Sequence, residues 1–175
     1  PRINSILIGV DDADKKLSKF VEQFKSFENK STVLKANFKE NDPNNKYEIY
    51  IDYSEILLGL KSNKYSKYKD KLDAYINQFV PSNTRYIIHL KDSSSIELAE
   101  YVYGKIKDNY QTSKVPELIS QDAKLSTIIP KDCEGSILVV GSCISNGKNL
   151  LYLSRALRNF EKLRVVYFVG ISRMN

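Results

Sequence analysis

Hydrophobic residues along this chain follow two alternating patterns, short continuous runs and longer segments with apolar residues every three or four positions. Continuous runs predict buried strands, here over residues 5–10, 85–90, 136–140 and 164–169. Helical spacing predicts helices, here over residues 17–27, 68–79, 96–106 and 150–160. Alternation of apolar and polar residues over 47–53 predicts a half-exposed strand.

Helices placed between successive strands favour a parallel sheet. We therefore predict an α/β fold: a doubly wound, mostly parallel sheet with helices on both faces. Residues 56–60 predict a short apolar turn, and residues 108–135 are polar and predicted to be irregular. A chain of 175 residues is long enough for one sizeable core, so we expect residues 1–175 to form a single α/β domain.

Composition excludes several classes of protein. Hydrophobic residues make up 42% and charged residues 27% of the chain, the balance of an ordinary globular domain, which excludes a disordered tail and a collagen-like repeat. Two cysteines are too few for a disulfide framework. No apolar stretch reaches the roughly 18 residues that predict a membrane span, and the first residues do not resemble a secretory signal. We expect a cytoplasmic protein that does not enter membranes.

The net charge of +6 raises the question of nucleic-acid binding. The excess is spread evenly, since residues 1–87 and 88–175 each carry +3. One basic segment, 61–71, interleaves five lysines with Tyr65 and Tyr68. Lysines beside aromatic rings could follow a phosphate backbone and stack on bases, which suggests a nucleic-acid-binding or scaffold module. The other interpretation, favoured by the helical spacing that follows, is a helix with solvated lysines and core tyrosines.

Polar loops follow three of the predicted strands, and ligands of doubly wound sheets bind outside the carboxyl ends of the strands. Asp11 and Asp12 follow the first strand. Carboxylate oxygens are the ligands that Mg²⁺ prefers, so these residues form a candidate metal site with Mg²⁺ as the candidate cofactor. The alternative is that they cap the next helix and interact with its positive end.

The second loop leads from the strand over 85–90 into a helix. Helix N-termini present unpaired N–H groups that suit a phosphate, and Lys91, Ser93 and Ser94 would add donors. The alternative is capping alone, with Ser94 or Ser95 as the N-cap residue.

The third loop is the most informative. A buried strand runs into the glycine-, serine- and asparagine-rich segment 141–149 and then into a helix. Backbone N–H groups in such a loop can form an anion-binding concavity. The segment is not a P-loop, because five residues separate Gly141 from Gly147 where that motif has four, and Asn149 stands where Ser or Thr would bind magnesium.

The same segment resembles the phosphoribosyl pyrophosphate motif of type I phosphoribosyltransferases. In that motif, four apolar residues precede two acidic residues and a sequence close to Val-Ile-Ser-Thr-Gly-Gly-Thr. Residues 137–140 match the strand, residues 143–145 match Val-Ile-Ser, and residues 146–149 match the remainder around one glycine. The resemblance implies a phosphate- or ligand-binding loop that contains Ser142, Ser145, Asn146, Gly147, Lys148 and Asn149.

The likeness extends beyond this loop. Residues 86–99 look like the family's pyrophosphate loop, and residues 108–135 fall where the family has a mobile catalytic loop. The resemblance therefore covers a phosphoribosyltransferase-like half, residues 84–175. Residues 1–83 form an N-terminal α/β half of unassigned type.

The chain departs from the motif at its acidic pair, because Gly141 and Ser142 stand where the family has two carboxylates that contact ribose hydroxyls. The resemblance thus implies a domain that binds phosphoribosyl pyrophosphate or a nucleotide, with lost or weakened transferase activity. Two alternatives stay open: an active transferase whose acid is supplied by Asp11 or Asp12, and the nucleic-acid or scaffold module of residues 61–71. The expected partner is a phosphorylated small molecule, and we also consider a protein partner in a larger assembly.

Overall fold

The computed structural model describes residues 33–38, 41, 47–111, 114–144 and 147–172, together with Ser18, Lys19 and Glu22. The chain divides into two compact units, Pro1–Lys69 and Asp70–Asn175. The strand predicted over 5–10 lies outside the described residues, as does most of the helix predicted over 17–27. No helix in the described part of the chain is long and apolar enough to cross a membrane.

The first unit contains an antiparallel pair of strands, β1 (Leu34–Phe38) and β2 (Tyr47–Ile51). The alternation over 47–53 predicted β2, whereas β1 was not predicted. Four of the five β1 residues are exposed and Leu34 is only half-buried. Leu34, Ala36 and Phe38 nevertheless alternate with Lys35 and Asn37, a period-two pattern that could have identified β1.

Helix α1 (Tyr53–Lys61) follows directly, so the prediction of a short turn over 56–60 was wrong. Asp52 caps the helix by accepting a hydrogen bond from the Glu55 N–H at 3.2 Å. A hydrogen bond from Lys35 lowers the pKa of Asp52 below its ordinary value. The Asp52-x-x-Glu55 spacing is a helix-start signal and could have identified α1.

The lysine–tyrosine segment 61–71 runs into helix α2 (Ser66–Phe79). Tyr65 is 2% exposed and Tyr68 7% exposed, and the Tyr68 hydroxyl lies 2.8 Å from that of Tyr53. The two rings are therefore not available to stack on bases. Their burial supports the interpretation of this segment as a helix with solvated lysines.

The second unit is an α/β fold with a four-stranded, all-parallel sheet packed against helices. Its elements are β3 (Thr84–His89), α3 (Ser93–Ile106), β4 (Glu117–Ser120), α4 (Leu125–Ile128), β5 (Gly135–Ile144), α5 (Lys148–Leu157) and β6 (Leu163–Ser172). The strand order is β4-β3-β5-β6. The chain leaves β3 towards one edge and β5 towards the other, so the topological switch point falls between β3 and β5.

Helices cover both faces of this sheet. Consecutive strand residues point to opposite faces. On one face, Ile88 and Val139 belong to a core cluster with Leu153 of α5. The fully buried Ile87 and Leu138 point to the other face, and α3 packs against the same two strands, β3 and β5. The predicted fold class is confirmed.

Two stretches differ from the sequence prediction. Residues 108–135, predicted to be irregular, contain the edge strand β4 and the one-turn helix α4. Ile119 is the one buried residue of β4, which is too little for a recognisable run. Strand β5 continues to Ile144 rather than ending at 140, so Ser142 and Cys143 lie in the strand and not in the loop.

Helices α2 and α3 are joined by hydrogen bonds to Asp73. The Tyr101 hydroxyl donates to Asp73 Oδ1 at 2.7 Å, and Lys105 Nζ lies 2.6 Å from Asp73 Oδ2. Burial, and after it the hydrogen bond to Asp73, raise the pKa of Tyr101 far above its ordinary value. The folded state therefore holds the phenol proton to higher pH than the unfolded chain does.

The contribution of Tyr101 to stability should be present below a pH of about 10 and lost as the pH rises further, because only the unfolded chain then releases the proton. We expect Tyr101→Phe to cost about 1 kcal/mol at neutral pH. We also expect the free energy of unfolding of the Tyr101→Phe variant to decrease less steeply with rising pH above about pH 10 than that of the wild type does. Urea denaturation as a function of pH tests this, with Tyr103→Phe on the same helix as control. Equal slopes for wild type and Tyr101→Phe would contradict it.

Candidate functional site

The end of β3 and the start of α3 form one side of the switch point. Asp92, three residues after β3, is the N-cap residue of α3 and accepts a hydrogen bond from the Ser95 N–H at 2.8 Å. The alternative in which Ser94 or Ser95 caps this helix was wrong. Asp92 has the extended backbone of an N-cap, whereas Ser94 and Ser95 already lie within the helix.

A polar cluster, Asp92–Ser95–Ser142, connects this helix start to β5. The Ser142 hydroxyl donates to Asp92 Oδ1 at 2.9 Å, and the Ser95 hydroxyl donates to Asp92 Oδ2 at 2.7 Å. The Ser142 N–H donates to Ser95 Oγ at 2.8 Å. Ser95 is fully buried and Ser142 is 5% exposed, so these hydrogen bonds satisfy polar groups that water does not reach.

This cluster includes both polar groups of Ser142. Its hydroxyl and its N–H both bond within the protein, so Ser142 connects the end of β5 to the start of α3. Sequence reasoning placed Ser142 in the ligand loop and left Asp92 and Ser95 out of the candidate residues. The Asp92-x-x-Ser95 spacing gives a capping signal, but no local signal connects either residue to Ser142, 47 to 50 positions away.

Gly141 stands beside Ser142, at the other position where the resemblance implies a carboxylate. It is buried in β5, and a Cβ atom at this position would lie 3.0 Å from Leu90 Cδ1. This distance is shorter than ordinary van der Waals contact. A carboxylate at position 141 would therefore require the Leu90 side chain to move.

Strand β5 leads into α5 on the other side of the switch point. Gly147 is the N-cap residue of α5 and has a left-handed backbone, with φ of 66°, which glycine adopts without steric cost. A cavity of about 80 Å³ lies here. It is lined by Leu90, Cys143, Ile144, Gly147, Lys148, Asn149 and Leu150.

The structure thus brings Gly147, Lys148 and Asn149 together around one small cavity at the start of α5. Lys148 and Asn149 are exposed. Ser145 and Asn146, which the resemblance also places in this loop, lie outside the described residues. Part of the predicted ligand loop therefore lies at the carboxyl end of β5, where ligands of doubly wound sheets bind.

The other candidates lie elsewhere. Lys91 and Ser93 are exposed, and Ser94 is half-buried, all at the start of α3. Asp11 and Asp12, the candidate Mg²⁺ ligands, lie outside the described residues. Within the described ranges, no group of three His, Cys, Asp or Glu side chains could hold a metal ion.

No family model matches this chain, and no curated protein matches it significantly. The fold and the site define an α/β protein with a parallel sheet. At its switch point, the helix that follows β5 has a glycine as its N-cap residue and the helix that follows β3 has an aspartate.

Proposed function

We propose that this chain is a phosphoribosyltransferase-like domain that binds phosphoribosyl pyrophosphate or a nucleotide, with lost or weakened transferase activity. One observation carries the proposal. Helix α5 begins at the topological switch point, directly after β5, and its N-cap residue is a glycine.

The start of α5 suits a phosphate group for electrostatic and steric reasons. A helix N-terminus carries a partial positive charge and N–H groups that point outwards. Gly147 has no side chain that could occupy the position that Asp92 fills at α3. A water molecule needs about 10–15 Å³ of cavity volume, so the adjacent cavity of about 80 Å³ accommodates a phosphate group, and the rest of a ligand would extend outwards.

The start of α3 is the less suitable of the two helix ends. The Asp92 carboxylate already accepts hydrogen bonds from Ser95 and Ser142 there. A phosphate near Lys91, Ser93 and Ser94 would be repelled by this negative charge. We therefore place the phosphate at Gly147, Lys148 and Asn149.

Lost transferase chemistry is the second part of the proposal. Transfer of a ribosyl group develops positive charge on the sugar, which nearby carboxylates stabilise. Gly141 and Ser142 place no carboxylate on β5. Asp92 is close to Ser142 but accepts three hydrogen bonds from protein donors, which supports a structural role for it. No described residue favours the alternatives based on Asp11, Asp12 or segment 61–71.

Isothermal titration of the full chain with phosphoribosyl pyrophosphate and adenosine monophosphate tests the proposal. We expect binding by the wild type and no release of pyrophosphate. Gly147→Asp should weaken binding more than about tenfold, because its carboxylate would lie where the phosphate binds. Gly147→Asn is the matched control, since Asn has the same shape without the charge and also tolerates a left-handed backbone.

Lys148→Ala should weaken binding about three- to fivefold, as expected for one exposed charge contact. Lys107→Ala removes an equally exposed lysine just after α3 and should leave binding unchanged. Thermal unfolding of each variant shows whether the fold is intact. No binding by the wild type, or equal binding by Gly147→Asp and Gly147→Asn, would overturn the proposal.

A further inference from the structure

A second and larger cavity lies in the same unit, away from the residues proposed to hold the phosphate. It is a groove of about 680 Å³ between the segment that follows β4 and helix α5. This volume is in the range of about 300–1,000 Å³ that is typical of small-molecule sites. None of its lining residues belongs to the predicted ligand loop.

The floor of the groove is apolar and belongs to the core. Leu125, Leu153 and Phe160 line it and are 8%, 1% and 6% exposed. All three are members of the core cluster on this face of the sheet. Close-packed side chains of this kind form a surface that exists before a ligand arrives.

The rim of the groove is cationic. Lys124 and Lys131 line it and are exposed, and Asp122 is its one acidic residue. Neither lysine forms an ion pair with a carboxylate in the described part of the chain. The groove therefore carries two positive charges against one negative charge.

The rim also carries an aromatic ring. Tyr152 of α5 lines the groove and is 72% exposed, the highest exposure among the large hydrophobic side chains described. An exposed ring beside an apolar floor offers a flat face for another planar group.

We propose that this groove binds a small planar anion. The ring of the ligand stacks on Tyr152 over the apolar floor, and its anionic group contacts Lys124 and Lys131. A nucleotide and an aromatic carboxylate share this chemistry. The inference does not depend on phosphate binding at Gly147, because the two cavities have different lining residues.

Titration with two probes and their uncharged counterparts tests the chemistry. Adenosine monophosphate is paired with adenosine, and 2-naphthoate is paired with 2-naphthalenemethanol. All titrations use the full chain carrying Gly147→Asp, so that binding at the Gly147 loop is weakened. We expect at least one anion to bind about tenfold more tightly than its uncharged counterpart, as for two exposed charge contacts.

Variants of the rim locate the binding. We expect the double variant Lys124→Ala and Lys131→Ala to weaken binding about tenfold, and Tyr152→Ala to weaken it about fivefold. The matched control is Lys107→Ala and Lys114→Ala, which removes the same charge from exposed positions outside the groove. The substituted side chains are exposed, so the thermal unfolding midpoint should not move.

The outcomes separate the two ligand sources. Preference for adenosine monophosphate assigns a nucleotide, preference for 2-naphthoate assigns an aromatic carboxylate, and either result supports the proposal. Binding of neither probe overturns it, as does equal binding by rim and control variants. Binding of an oligoglutamate peptide without either small probe also overturns it and would indicate a protein-docking groove. A failure of phosphoribosyl pyrophosphate to bind the wild-type chain would overturn the proposed phosphate site at Gly147 and leave the proposal for the groove unchanged.

Discussion

Replacing Asp92 with alanine should lower the free energy of unfolding by about 2–4 kcal/mol. Loss of an N-cap residue costs about 1 kcal/mol. The substitution also removes the acceptor of the Ser95 and Ser142 hydroxyls, and a buried polar group without a partner costs about 1–3 kcal/mol. Ser95 is fully buried and Ser142 is 5% exposed, whereas Asp92 itself is exposed, so the loss falls at the lower end of this range if water enters the space that the carboxylate leaves. Urea denaturation of the full chain measures the change.

Two comparisons separate this effect from a general loss of charge. Asp108→Ala removes an exposed carboxylate and should change the free energy of unfolding by less than about 0.5 kcal/mol. The double variant Asp92→Ala and Ser142→Ala removes a donor together with its acceptor, so it should cost less than the sum of the single variants. A loss for Asp92→Ala no larger than that for Asp108→Ala would show that the cluster does not stabilise the fold.

Introducing a carboxylate at position 142 should be at least as damaging, at about 3–5 kcal/mol near neutral pH. Ser142→Asp places a second carboxylate beside Asp92, in a position that water barely reaches. Two carboxylates at this distance cannot both ionise cheaply, so the pair would retain a proton above the ordinary pKa of an aspartate. The folded-state pKa of the pair is then raised, and the destabilisation is present above it and declines as the pH falls towards about 4.

Ser142→Asn is the control for this second prediction, because it has the same shape and no charge. Its stability should depend on pH as that of the wild type does. Denaturation curves between roughly pH 4 and 8 would show the gap between Ser142→Asp and Ser142→Asn closing at the acid end. Equal stability of the two variants at neutral pH would contradict the geometry of the cluster.

These two experiments also bear on the two β5 positions at which the resemblance implies carboxylates. Position 142 bonds to Asp92, and position 141 leaves little room beside Leu90. An acidic pair on β5 therefore conflicts with both neighbours.

The regular elements of the second unit could be predicted because burial leaves a pattern in the sequence. β3, β5 and β6 are apolar runs, and α3 and α5 place apolar residues at helical spacing. Four elements were not predicted: β1, α1, β4 and α4. β4 buries a single side chain, which leaves no recognisable run. β1 alternates apolar and polar residues, and α1 buries Tyr53, Ile56, Leu57 and Leu60 at helical spacing, so both contain a signal that could have identified them.

The sequence predicted where the two loops lie but not which side chains meet there. Loops after β3 and β5 were identified because the carboxyl ends of parallel strands share one edge. Which side chains meet there depends on strand order and register, which place Ile88 beside Val139 and His89 beside Val140. This register carries Ser142 to Asp92 and Ser95, and periodicity contains no information about it.

The sequence by itself determined the alternation of strands and helices, and with it the parallel sheet and the position of Gly147 before α5. These features depend on the local spacing of apolar and polar residues, which is visible directly in the sequence. Only the tertiary structure decided that Ser142 bonds to Asp92, that Tyr65 and Tyr68 are buried, and that Lys124 shares a groove with Tyr152. The reason is physical: local spacing specifies which face of an element is buried, whereas the partner that covers that face is chosen by strand order and packing between distant segments.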